Sequence, residues 1–258
     1  MKLTFLGTGT SFGVPQIGCR CPVCCSVDPR DKRMRASAVI QTPRATILFD
    51  TPPELRLELL AAGLNHIDAV CYTHEHADHV SGIDDLRLFT VRDRKPMPIF
   101  GPAETLDRLR QGFRYIFDDS VEAHLGTSKP RLIPEAVEPG QAFEVAGESI
   151  LPLVFTHGNM RVFGYRIGRV AYVTDVKMVP ARERAALQDL DVLVLNALWW
   201  RSHPTHMSIS EAVSTAQDLG AAHTYLTHLT HETGHAELEA ALPPGISPAY
   251  DGLTVEVS

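Results

Sequence analysis

Short apolar runs, each closed by a polar residue or a Gly/Pro turn, recur along this chain. Alternation over residues 2–6 predicts a strand, and Gly7-Thr8-Gly9-Thr10-Ser11 a tight loop. Residues 38–41 and 45–49 flank a Pro-containing turn and predict a hairpin. Residues 54–62 carry helical spacing and stop at Gly63, a C-cap signal. A short buried strand is expected at 68–72, an amphipathic helix at 83–89, a strand and turn at 97–102, and a helix at 103–114. Over 115–129 the pattern is weak; a surface connection and a loop over a substrate both fit. Strands follow at 142–145, 149–155, 162–167 and 170–173, then a helix at 180–190 and a buried strand at 192–195. Residues 208–219 predict a helix capped by Ser208 or Ser210 and closed by Gly220; strands at 224–226 and 253–257 complete the pattern. With no repeat, low-complexity segment or linker, the chain reads as one domain, residues 1–258.

The polar residues that close these runs change the picture. Asp50, His74, His157, Asp175 and His228 each follow an apolar strand-like run. Such a set points to a site along one edge of a sheet sandwich rather than to unrelated surface residues. The densest part is Thr73-His74-Glu75-His76-Ala77-Asp78-His79, with three imidazoles and a carboxylate on one strand-to-helix turn. A lone histidine carries little weight, but burying this much polar capacity without a cation is costly. Imidazole with carboxylate suits zinc, manganese or iron.

Composition narrows the function classes. Of 258 residues, 44% are hydrophobic and 21% charged, as in ordinary globular proteins. A net charge of -7 disfavours a duplex-binding surface, which needs Lys and Arg against phosphates, but leaves room for a small phosphorylated substrate. The apolar stretch at the N-terminus is too short for a signal peptide, and no run approaches the ~20 apolar residues that span a bilayer, so a cytoplasmic protein without membrane contact is expected. Four of the five cysteines lie in Cys19-Arg20-Cys21-Pro22-Val23-Cys24-Cys25, a clustering that in the cytosol favours a metal over disulfides. Cys71, in an apolar strand, reads as an inert buried thiol.

The order His74-x-His76-x-Asp78-His79, then His157, Asp175 and His228, resembles the metallo-β-lactamase-fold hydrolases. The resemblance implies an α+β fold, a four-layer αββα sandwich with two divalent metals at one edge. It implies that His74, His76 and His157 hold the first metal, that Asp78, His79 and His228 hold the second, and that Asp175 bridges them. Asp50 would orient a ligand histidine from behind, as ligating imidazoles require. Gly18-Cys19-x-Cys21-x-x-Cys24, with Leu226-Thr227-His228-Leu229-Thr230-His231, resembles a narrower group, the cyclic ribose-phosphate phosphodiesterases of the carbon–phosphorus lyase pathway. That implies a separate structural zinc on Cys19, Cys21, Cys24 and His231, with Cys25 as a competing ligand. His206 matches the group's additional active-site histidine, with His203 the alternative. The stretch before His157 and the segment Trp199-Trp200-Arg201 depart from the group.

The function expected is hydrolysis of small phosphodiesters, of cyclic ribose-phosphate type, by a hydroxide bridging two cations (Zn, Mn or Fe). Asp78 and His206 are the expected catalytic side chains, and the family resemblance implies a homodimer. Three alternatives stand beside it. A lactonase or thioester hydrolase would use the same centre on a carbonyl. A tRNA 3′-processing nuclease shares the opening Phe5-Leu6-Gly7-Thr8-Gly9-Thr10, but the acidic charge and lack of a basic insertion count against it. A non-enzymatic metal sensor fits least, because a structural site would be closed.

Overall fold

The computed structural model describes residues 1–121 and 125–257; residues 122–124, inside the weakly patterned 115–129 stretch, lie outside the described residues. The first six strands are β1 (Lys2–Gly7), β2 (Ser37–Gln41), β3 (Thr46–Phe49), β4 (Ala69–Cys71), β5 (Met97–Gly101) and β6 (Leu132–Ala136). The second set is β7 (Phe143–Val145), β8 (Glu148–His157), β9 (Met160–Ile167), β10 (Val170–Val173), β11 (Val192–Asn196), β12 (His223–Thr227) and β13 (Ile246–Pro248). β14 (Thr254–Glu256) returns to pair with β1.

Two mixed sheets result, ordered β14-β1-β2-β3-β4-β5-β6 and β13-β12-β11-β10-β9-β8-β7. In each, antiparallel pairing gives way to parallel pairing: beyond β3 in the first sheet, and beyond β10 in the second. The parallel strands of each sheet therefore discharge their C-terminal ends along the same edge.

Period-two alternation stacks the layers. In β3, Ile47 and Phe49 face the space between the sheets while Leu48 faces outward; in β11, Val194 faces inward and Leu193 and Leu195 outward. Phe49 stacks on Tyr172 across the sheets, with ring centroids 5.0 Å apart and planes at 18°. Outside the first sheet, Leu48 and Val70 meet Leu55 and Leu59 of helix Leu55–Ala61 and Leu106 and Leu109 of helix Ala103–Gly112. Outside the second, Leu193 and Leu195 meet Ala212 and Ala216 of helix Ile209–Leu219 and Leu238 of helix His235–Ala241. Each fully buried Leu or Phe contributes roughly 1.5–3 kcal/mol through lost apolar hydration. The layers are helix, sheet, sheet, helix, as the motif resemblance implied.

Local departures have identifiable causes. The expected helix at 180–190 is only Ala181–Arg184 with a 3₁₀ turn at Ala185–Leu187, because Gln188 is extended and Asp189 is left-handed (φ 55). The 83–89 helix begins as a 3₁₀ turn at Ile83–Leu86 and continues as Arg87–Arg92. Helix 103–114 breaks at Phe113. Strands β6 and β13 and helix His235–Ala241 were not expected from the pattern. β6 is a mostly exposed edge strand containing Pro134, and β13 is an edge of three residues, so neither carries a clean apolar alternation.

Candidate metal centre

The C-terminal strand ends deliver the polar side chains. Asp50 follows β3, Thr73 and His74 follow β4, His157 closes β8, Asp175 follows β10 and His228 follows β12. Asp50, Asp175 and His228 adopt left-handed backbone, with φ 61, 59 and 59. A non-glycine residue held there costs roughly 1–3 kcal/mol and persists when the surroundings fix it, a pattern concentrated at functional sites.

Asp175 is the hub. Its Oδ2 lies 3.4 Å from His74 Nε2 and 2.9 Å from His79 Nε2. Its Oδ1 lies 3.1 Å from His228 Nε2 and 3.8 Å from His206 Nε2. One carboxylate thus divides its two oxygens between two groups of imidazoles. Asp78 Oδ2 approaches His79 Nε2 at 3.6 Å and His228 Nε2 at 3.9 Å, so Asp78, His79 and His228 form one cluster of ligand-capable atoms. His76 is exposed, its ring 4.6 Å from that of His74 and 5.2 Å from that of His157.

A buried frame orients these rings. His79 Nδ1 lies 2.7 Å from Asp50 Oδ2. Thr73 donates its backbone N–H to Asp50 Oδ1 and its hydroxyl to Asp50 Oδ2, both at 2.8 Å, and Thr73 Oγ1 is 2.9 Å from His74 Nδ1. His157 Nδ1 donates to the Thr205 carbonyl at 3.2 Å. In each case the second ring nitrogen is left for the centre. Each of these threonines directly precedes a histidine, Thr73 before His74 and Thr205 before His206, and that adjacency is the signal the sequence carries for them.

The residues fit a cation. Nε2 of His74, His79 and His228 is buried without a hydrogen-bond partner among the described residues, although carboxylate oxygens stand 2.9–3.9 Å away. Orphaned buried nitrogens around a carboxylate are costly unless something else takes their lone pairs. Burial alone would raise the Asp175 carboxyl, but His228, His79 and His74 outweigh it and hold it well below the usual range. Burial, reinforced by His79, pushes the His74 imidazole well down. For His79, burial is overcome by Asp175 and Asp50, which hold the ring well above its ordinary value. His206 is pushed down to about 3, first by burial and then by His228.

A second cluster lies apart from the first. The Sγ atoms of Cys19, Cys21 and Cys24 lie 3.3, 3.5 and 3.3 Å from His231 Nδ1. Cys25 is exposed and outside the cluster. The Cys24 N–H leads the groups that lower the Cys21 thiol to about 7, while burial raises Cys24 to about 11. Three sulfurs and one imidazole nitrogen match a closed tetrahedral site.

Paired mixed sheets with helices on both outer faces are the metallo-β-lactamase fold. The match to the beta-lactamase superfamily domain runs over residues 45–229, and the chain belongs to that superfamily. The matched span holds Asp50 and the whole His/Asp cluster but not Cys19, Cys21, Cys24 or His231. The crystal structure of a diphosphatase from the PhnP family is similar over 100% of this chain and 98% of its own, at 38% identity and a TM-score of 0.91. The octanoyltransferase of Porphyromonas gingivalis is 39% identical over 98% of this chain, and the chain spans 51% of that protein's length. The coenzyme PQQ synthesis protein B of Methylorubrum populi is 32% identical over the full length of both. The zinc-bound PqqB of Methylobacterium extorquens shares the fold, at 20% identity and a TM-score of 0.79. No helix among the described residues is long and apolar enough to cross a membrane.

Proposed function

We propose that this protein is a metal-dependent phosphodiesterase acting on small phosphorylated substrates of cyclic ribose-phosphate type. The observation that carries the reading is Asp175 at the meeting point of three buried, unpartnered imidazole nitrogens drawn from both ligand sets, with Oδ2 facing His74 and His79 and Oδ1 facing His228. His74, His76 and His157 would hold one divalent cation, Asp78, His79 and His228 a second, with Asp175 shared; zinc, manganese and iron all suit this donor set. Cations bound there supply water activation and neutralise charge that develops on phosphoryl oxygens. Asp78 would accept a hydrogen bond from the attacking water. His206 turns Nε2 toward the centre, where it would take up a proton released by the attacking water and return it to the leaving oxygen. Cys19, Cys21, Cys24 and His231 would hold a structural zinc that ties the N-terminal loop to the segment after His228. The 38% identity to a PhnP-family diphosphatase over nearly both whole chains supports chemistry at phosphorus.

A second reading, hydrolysis of an ester or thioester, draws on the 39% identity to a protein named octanoyltransferase. One experiment separates them. Metal-loaded protein is assayed on bis-p-nitrophenyl phosphate, a cyclic ribose phosphate, a lactone and an octanoyl thioester, with elemental analysis of the same preparation. Turnover of the phosphodiesters above the carbonyl substrates is expected. Turnover of the thioester or lactone alone would replace the phosphodiesterase reading.

A further inference from the structure

His203, four residues after Trp199, makes the turn that carries His206. Its Nδ1 accepts the backbone N–H groups of Thr205 and His206, each at 3.3 Å. An imidazole nitrogen that accepts carries no proton, so the His203 proton sits on Nε2. His206 Nδ1 then faces a bare nitrogen of His203 at 3.3 Å and the Thr205 hydroxyl at 3.1 Å. Donation from His206 Nδ1 satisfies that arrangement and leaves His206 Nε2, 3.8 Å from Asp175 Oδ1, with its lone pair toward the centre.

The same turn acts on the centre twice. The Thr205 carbonyl inside it accepts from His157 Nδ1, and the His206 ring packs edge-on against His157 at 4.5 Å and stacks on His228 at 4.9 Å. His203 is itself held from outside. Its ring packs edge-on against Trp199 at 5.4 Å, and the Arg201 guanidinium lies 4.1 Å from the centroid of the Trp199 ring. Arg201 forks onto both oxygens of Glu232 at 2.6 and 3.0 Å, next to His231.

We propose that His203 is a positioning residue that fixes both the place and the tautomer of His206. The inference rests on the reading of His206 as a working group of the centre, but its direct readout does not. Aspartate and asparagine turns use a side-chain oxygen to hold the same backbone N–H groups, so an acceptor of that reach can stand in for the ring.

The test compares His203→Phe, which keeps a ring against Trp199 but removes the acceptor, with His203→Asn, which restores an acceptor. His203→Ala is the second acceptor-free variant where Phe does not fold, and thermal melts check all three. In the zinc-loaded protein, ¹⁵N spectra of labelled histidines report which nitrogen of His206 is protonated; His206→Ala assigns the signal. In the acceptor-free variants the His206 signal should leave the Nδ1–H pattern. Turnover of bis-p-nitrophenyl phosphate should fall by about 100-fold, the scale of a misplaced reacting group, with KM changed far less. His203→Asn should recover most of both. An unchanged His206 spectrum in the acceptor-free variants overturns the proposal, and so does equal damage from Asn and Phe. If His206→Ala keeps full turnover, the working role of His206 falls instead, and the spectra still decide the positioning role.

Discussion

Asp50 Oδ2 lies 2.7 Å from His79 Nδ1, and neither side chain touches solvent. The carboxylate also takes two hydrogen bonds from Thr73, so it fixes the ring of His79 directly and the start of the His74 turn through Thr73. Groups that orient a ligating imidazole typically set metal affinity by 10–100-fold. Asp50→Ala should therefore weaken binding of the centre's cations by about 10–100-fold while leaving the cysteine cluster loaded. Competition with a chromophoric chelator measures this. Affinity equal to that of the native protein would remove His79 as a ligand that depends on Asp50.

Glu58 offers a prediction about stability. Both of its carboxylate oxygens are buried without a hydrogen-bond partner among the described residues. Its carboxylate lies against Gly7, where an added Cβ would stand 2.5 Å from Glu58 Oε1. Burial first, then the charge of Asp251, raises its carboxyl well above the usual range, and Arg35 only partly opposes this. A carboxyl whose folded pKa is raised binds its proton more tightly in the native state. Stability then falls as pH rises from the unfolded value, about 4.3, through the raised folded value. Glu58→Gln removes that loss. Its melting temperature should match the native protein near pH 4 and exceed it near pH 8. Parallel pH profiles for the two proteins would contradict the assignment.

Much of the centre was legible because its chemistry is written in residue type and place. Three histidines and an aspartate between His74 and His79 follow an apolar strand, and His157, Asp175 and His228 close later strands. The strand pattern reads well wherever both sheet faces are buried, as in β3, β4 and β11, where hydrophobic burial decides the conformation. It fails at two of the four edges, where β6 and β13 are set by pairing to one neighbour rather than by apolar content, although the edge strands β7 and β14 are legible. The left-handed backbone at Asp50, Asp175 and His228 was not legible, because these are not glycines and only tertiary contacts hold them there. The choice between Ser208 and Ser210 was in the sequence: Ser208-x-x-Glu211 is a capping box, and both of its reciprocal hydrogen bonds form.

That cap gives a third prediction. The Ser208 hydroxyl accepts the Glu211 N–H at 3.2 Å, and a Glu211 oxygen accepts the Ser208 N–H at 2.7 Å. Losing a serine N-cap costs about 1 kcal/mol. In a chain of this size Ser208→Ala should lower the melting temperature by about 2–4 °C. Because the cap begins two residues after His206, turnover should fall as well if the helix start steadies that turn. A melting temperature unchanged within a degree would show that packing of Ala212 and Ala216 alone sets the helix start.

The cysteine cluster gives the last. Cys24 Sγ and His231 Nδ1 are 3.3 Å apart although 207 positions separate them in the chain. Closing so long a loop through a metal removes much of the freedom of the unfolded chain, so its loss should cost stability as well as one ion. Cys24→Ser should lower the metal content by one equivalent of zinc and leave the His/Asp centre loaded. Its melting temperature should drop, and a chelator too weak to strip the native cluster should produce no further change. The same drop in Cys25→Ser would place the exposed Cys25 in the ligand set instead. Unchanged zinc content in Cys24→Ser, with Cys25→Ser also unchanged, would mean that the four side chains converge without holding a metal.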